Sequence, residues 1–124
     1  MYQLKVREHF DAAHQLDGYK GKCHELHGHR WEVIVTLEGD TLDDINMLID
    51  FKIVKDTLKN GFDTYLDHHY LNETLKVGNP TAEYVAEWLF VYLQRTFGSL
   101  NIVSVEVFES PDCSVTYSEV ENEC

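Results

Sequence analysis

The hydrophobic patterning of this chain predicts an α+β fold: an antiparallel β-sheet with two helices packed on one face, in the order ββααββ. Three observations carry that prediction. Two segments near the start alternate apolar and polar residues, the period of a half-buried strand. Two segments in the middle repeat apolar residues at helical spacing. Two further alternating segments, joined by Ser110-Pro111-Asp112, close the chain as a hairpin.

The first strand runs from Tyr2 to about Ala12, with Leu4, Val6, Phe10 and Ala12 on one side and Lys5, Arg7 and His9 on the other. Asp17 to Gly21 reads as a loop. The second strand spans His29 to Glu38, with Trp31, Val33, Val35 and Leu37 in one register and Gly39-Asp40 ending it. Asp50 is placed to N-cap a helix through about Asn60, with Phe51, Val54 and Leu58 on its inner stripe and Gly61 as its stop. Phe62 to Gly78 is expected to be loop. A second helix starts at Asn79-Pro80-Thr81, capped by either Asn79 or Thr81. Val85, Leu89, Leu93 and Phe97 form its stripe, Trp88 and Tyr92 flank it, and Gly98 closes it. Ile102 to Phe108 is the third strand, and the fourth runs through Val115 and Tyr117.

Residues 1–124, 44% hydrophobic, are expected to form a single domain with a modest core. No apolar run reaches the 18 or so residues of a membrane span, and Met1 to Lys5 starts no signal peptide. Three irregularly spaced cysteines make no disulfide framework, so a reducing cytoplasm is the expected setting. With 22 acidic and 10 basic residues, the net charge of −12 argues against nucleic acid or an anionic membrane as partner. A small anionic substrate stays open, since Lys5, Arg7, Lys20, Lys22 and Arg30 crowd the first quarter of the chain. Scattered solvated charge is the alternative.

The chemistry concentrates in Cys23-His24-Glu25-Leu26-His27-Gly28-His29. Two residues apart on a strand, His27 and His29 project from one face, their Cβ atoms about 7 Å apart. Both imidazoles can then reach one ion, and His14 is a third candidate ligand. Three histidines with a fourth position open is a catalytic metal pattern, whereas structural zinc sites are closed by four protein ligands. Chance surface histidines are the plain alternative. Parity favours the site: His14 continues the register of Phe10 and Ala12, His27 and His29 that of Trp31, and Glu109 that of Val103, Val105 and Val107. Absent a bulge, all four point to the helix-covered side, where ionisable groups need partners. Glu8 breaks the pattern. Cys23 is a further ligand or a nearby acid/base.

Phe10-Asp11-Ala12-Ala13-His14, Cys23-x3-His27-Gly28-His29, Leu66-Asp67-His68, Pro80-Thr81-x-Glu83 and Glu109, in this order, resemble the 6-pyruvoyl-tetrahydropterin synthase family. The three-residue gap after Cys23 is similar to the branch that makes 6-carboxytetrahydropterin for 7-deazaguanine (queuosine) biosynthesis. The resemblance implies a tunnelling fold, a homo-oligomer with active sites at subunit interfaces, and Zn²⁺ on His14, His27 and His29. It implies 7,8-dihydroneopterin triphosphate as substrate, with 6-carboxy-5,6,7,8-tetrahydropterin, acetaldehyde and triphosphate as products. Cys23 matches the general base, Asp67 and His68 an acid/base pair supplied by a neighbouring subunit, and Glu109 the pterin-gripping carboxylate. Ser110 stands where the family often has Thr. The pyruvoyl-forming sister reaction, a non-catalytic zinc or pterin-binding module and a simple metallohydrolase are the competing readings. Thr81 and Glu83 read better as helix start and first-turn charge than as ligands.

Overall fold

A computed structural model describes residues 1–18 and 25–119. Four strands, β1 (Tyr2–His14), β2 (His27–Gly39), β3 (Asn101–Ser110) and β4 (Cys113–Tyr117), form one antiparallel sheet in the order β1-β2-β3-β4. Between β2 and β3 the chain makes α1 (Phe51–Gly61), a π-helical turn (Phe62–Leu66), the short α2 (Leu71–Thr74) and α3 (Ala82–Thr96). The inward residues Val6, Phe10, Trp31, Val33, Val35, Val105 and Val107 meet Val54, Leu58, Val85, Leu89 and Leu93 from the helices in one apolar core. Helices therefore cover one face of the sheet, as the alternation requires. No helix among the described residues is long and apolar enough to cross a membrane.

The strand register is what positions the site. β1 and β2 pair without a bulge, so His14 lies opposite His27, and Ala12 opposite His29. Glu8, the polar residue in the inward register, is only 12% exposed and faces Lys55 and Lys59 of α1 at 3.9 and 4.0 Å. Two bulges interrupt the other pairings. Thr36 opposes Ser104 while Leu37 opposes Ile102, so Val103 is the extra residue and Ile102 takes the inward place expected for it. Phe108 opposes Ser114 and Ser110 opposes Cys113, which leaves Glu109 as the extra residue of the second bulge.

The helical region departs from expectation in three ways. Gly61 stops nothing: its backbone is right-handed helical, and the chain runs straight into the π turn. Its missing side chain serves a close approach instead, since a Cβ there would lie 2.8 Å from the Tyr92 ring. Phe51 is 58% exposed, and the inner stripe is carried by Val54, Leu58 and Phe62. The stretch from Phe62 to Gly78 is no plain loop, because Phe62, Leu66, Leu71 and Leu75 anchor two helical turns in the core. The competing caps resolve in favour of Thr81, whose hydroxyl accepts from the Tyr84 amide at 3.2 Å. Glu83 is the acidic residue of that first turn. The helix ends with Phe97 as C-cap, one residue before Gly98.

Candidate metal centre and acid/base pair

His14, His27, His29 and Glu109 converge at the open ends of β1, β2 and β3, with one ligating atom from each within 4.8 Å of the others. His14 is fully buried, its ring lying edge-on to Trp31. Its Nδ1 lies 2.8 Å from the Pro80 carbonyl oxygen, which can only accept, so Nδ1 carries the proton. His27 makes the same kind of bond, Nδ1 donating to the Glu25 carbonyl at 2.9 Å. In both rings Nε2 is then left as a lone pair. The two Nε2 atoms face each other at 3.0 Å, and Glu109 Oε1 stands 2.9 Å from that of His14. Acceptors at such distances repel unless a proton or a metal ion sits among them. His29 Nε2, 3.7 Å from Glu109, and Glu109 Oε1 itself are buried without a hydrogen-bond partner.

This donor set fits a divalent transition metal. Tetrahedral coordination at about 2.0–2.1 Å spaces nitrogen ligands by roughly 3.3 Å, close to the separation already present. Backbone carbonyls fix the tautomer of two rings, the usual outer support of metal-bound imidazoles. Burial, followed by the neighbouring His14, pushes the His29 pKa down and keeps that ring a neutral donor. The contact with the His14 ring, outweighing the effect of burial, holds the Glu109 carboxyl below its ordinary range. His14, His27 and His29 reach the cluster through the unbroken β1–β2 register, whereas Glu109 reaches it as the extra residue of a bulge.

Asp67 and His68 lie elsewhere. The π turn ends with the Asp67 amide donating to the Phe62 carbonyl at 2.6 Å, and the chain then runs along the free edge of β1. There Asp67 Oδ1 accepts from the Asp11 amide at 2.9 Å, and the His68 amide donates to the Asp11 carbonyl at 2.6 Å. His68 adopts a left-handed φ of 58°, uncommon for a residue with a side chain. Its Nδ1 meets Asp67 Oδ2 at 3.0 Å, so one carboxylate oxygen grips the strand and the other orients the ring. The His68 side chain is 79% exposed. Neither residue contacts the histidine cluster among the described residues. Asp11, which Arg30 holds below the usual carboxylate range, stands beside them. An open cavity of about 540 Å³ lies against Asp11, His29, Arg30, His68 and Tyr70, so His68 and one histidine of the cluster border the same space.

Cys23 falls outside the described residues, as do Lys20 and Lys22. Arg7 and Arg30 are each paired with a carboxylate, Glu32 at 3.7 Å and Asp11 at 3.1 Å, so neither is a free cation. Trp88 and Tyr92 stack on each other at the α3 surface, as packing residues. The sequence reading missed Pro80 and Glu25, which act through carbonyl groups common to every residue type.

An open antiparallel sheet with its helices on one face is the architecture of the tunnelling-fold class. The profile of the family described as 6-pyruvoyl tetrahydropterin synthase matches residues 3–120. The chain belongs to that family. A 6-carboxy-5,6,7,8-tetrahydropterin synthase from Synechocystis sp. is 38% identical over 112 residues, covering 87% of this chain and 86% of the relative. A protein of the same name from Bacillus subtilis is 30% identical over 123 residues, covering 94% and 84%. Among solved structures, the 6-pyruvoyl tetrahydropterin synthase of Caenorhabditis elegans superposes with a TM-score of 0.82 at 27% identity, covering 96% of each chain.

Proposed function

We propose that this chain, as a single domain, is a zinc-dependent carbon–carbon lyase. It converts 7,8-dihydroneopterin triphosphate to 6-carboxy-5,6,7,8-tetrahydropterin, acetaldehyde and triphosphate, in the cytoplasm and in the service of 7-deazaguanine (queuosine) biosynthesis. One observation carries the metal-dependent part of the reading: imidazole lone pairs converge where the ring protons are already committed to backbone carbonyls. The carboxy-forming branch is favoured by the names of the relatives and by the Cys23-x3-His27 spacing.

His14, His27 and His29 hold the Zn²⁺. When bound, the ion supplies Lewis-acid polarisation of the substrate side-chain oxygens. Glu109 binds the pterin, its carboxylate accepting from ring NH and exocyclic amine, a two-point fit for a guanine-like edge. Cys23 is the base that takes the carbon-bound proton; a thiol is only a few per cent ionised at neutral pH, so it needs a neighbouring cation such as the bound Zn²⁺ to favour the thiolate. Asp67 fixes the orientation of His68, leaving the opposite ring nitrogen to move protons. The exposure of His68, and its lack of contact with the cluster, support a site completed between copies, Asp67 and His68 of one serving the cluster of another.

Product analysis tests this. Dihydroneopterin triphosphate is incubated with the protein as purified, after chelation, and after zinc is restored. Acetaldehyde and the 6-carboxy product are expected in the first and third samples. A pyruvoyl product without acetaldehyde transfers the chain to the sister reaction. Zinc binding without turnover leaves a binding module.

A further inference from the structure

Beyond β1, the backbone is held by two side chains standing in for a neighbouring strand. Asn72 Oδ1 accepts from the Gln15 amide at 2.9 Å and its Nδ2 donates to the Gln15 carbonyl at 2.8 Å. Asn79 does the same two residues on, Oδ1 accepting from the Asp17 amide at 2.8 Å and Nδ2 donating to the Asp17 carbonyl at 3.0 Å. Asn72 Nδ2 also donates to the Gly78 carbonyl at 2.8 Å, tying the two asparagines into one clamp. Both segments so joined bear on His14. Gln15 follows it in sequence, and Asn79 precedes Pro80, whose carbonyl accepts the hydrogen bond from His14 Nδ1–H.

We propose that Asn72 and Asn79 are positioning residues for metal ligand His14, clamping segment 78–80 to segment 15–17 so that the Pro80 carbonyl locks the Nδ1–H tautomer. The inference rests on the metal-centre reading above. An amide supplies donor and acceptor from one planar group, which matches a backbone N–H and C=O pair. Asp keeps the acceptor and loses the donor, and Ala loses both. Without the clamp, the Pro80 carbonyl drifts relative to the ring, and His14 Nε2 is free to take the proton that blocks coordination.

The test uses Asn72→Ala, Asn79→Ala and Asn79→Asp in the full chain, with Asn101→Ala as control. Asn101 makes a comparable exposed bond, to Glu38 at 2.8 Å, at the opposite end of the sheet. Zinc affinity, by competition with a chromophoric chelator, is expected to fall about 10–100-fold in the clamp variants and not in the control. Saturating zinc should restore kcat, because the proposed loss acts through occupancy of the metal site. In metal-free protein, nitrogen NMR of the His14 ring should show a single Nδ1–H form in the wild type and a tautomer mixture in the variants. Asn79→Asp, with an acceptor left for the Asp17 amide, provides a folded variant if Asn79→Ala does not yield one. Zinc affinity within threefold of wild type, with an unchanged His14 spectrum, overturns the proposal. A wild type that binds no zinc overturns instead the metal-centre reading, a different result from equal binding by all variants.

Discussion

His27→Ala separates the chemistry of the cluster from its structural role better than any other change. His14 is fully buried, and its truncation would strand the Pro80 carbonyl and open the core beside Trp31. His27 is only half-buried, and its one backbone bond goes to the carbonyl of exposed Glu25. Losing an exposed bond of that kind costs about 0.5–1 kcal/mol, and removing one of two lone pairs 3.0 Å apart offsets part of it. The metal-free variant should therefore unfold within about 1 kcal/mol of wild type. Metal reverses the comparison. At a free zinc concentration of about 100 times its Kd, the wild type gains roughly 2.7 kcal/mol, whereas a site short of one ligand gains almost nothing. For a domain of this size that is a rise in Tm of about 10 °C, give or take a few degrees, present in one protein and absent from the other. Calorimetry of chelator-treated protein with and without zinc reads both quantities. An equal zinc-induced rise in the variant would show that His27 is no ligand and refute the lone-pair reasoning.

Asp67→Asn should leave zinc affinity unchanged yet lower kcat by about 10²–10⁴, because the amide no longer enforces the His68 ring state; a kcat within threefold of wild type would remove Asp67 from the mechanism. Metal-free protein should lose stability as pH falls. The His29 pKa is lower folded than unfolded, so below about 6.5 the unfolded chain binds more protons; Glu109, also depressed, adds a loss below about 4.5. Urea midpoints measured from pH 7.5 to 4 with chelator present should show this fall, flattened near pH 6 in His29→Gln, and an identical slope in the variant would contradict it. Gly61→Ala gains about 1 kcal/mol of helix propensity but sets a methyl 2.8 Å from the Tyr92 ring, an overlap costing about 1–3 kcal/mol. Net destabilisation of about 1 kcal/mol is expected, and a stabilised variant in urea denaturation would show the Tyr92 ring yielding freely.

The strands and the metal cluster were legible because both depend on a period of two. A residue's parity decides its face, and β1 and β2 pair without interruption, so His14, His27 and His29 could be placed from Phe10, Ala12 and Trp31. Where parity slips, so does the reading. Ile102 replaced Val103 on the inner face through a bulge that no local residue type announces. The helical region was harder for a different reason. Gly61 carries the signature of a stop, but a glycine kept for close approach looks the same in one dimension, and only Tyr92, 31 positions on, tells them apart. The π turn escaped because Phe62 and Leu66 offer too few apolar positions to establish a period. Asp67 and His68 were found by resemblance, and their hold on Asp11 runs mostly through backbone atoms that composition does not encode.

Strand β1 carries both candidate sites and keeps them apart. Asp11 holds the Asp67–His68 pair on both sides of its own peptide, and His14, three residues on, belongs to the histidine cluster. Three residues of strand are about 10 Å and an odd number of steps, so side chains at the two positions leave the sheet on opposite faces. One face is covered by helices and holds the cluster; the other carries the Asp11–Arg30 pair. In the proposed assembly, a second copy brings its own Asp67–His68 pair to the cluster. The outer edge of β1 before Asp11, which pairs with no strand among the described residues, together with the short β4 at the other end of the sheet, offers hydrogen-bonding groups for that proposed approach.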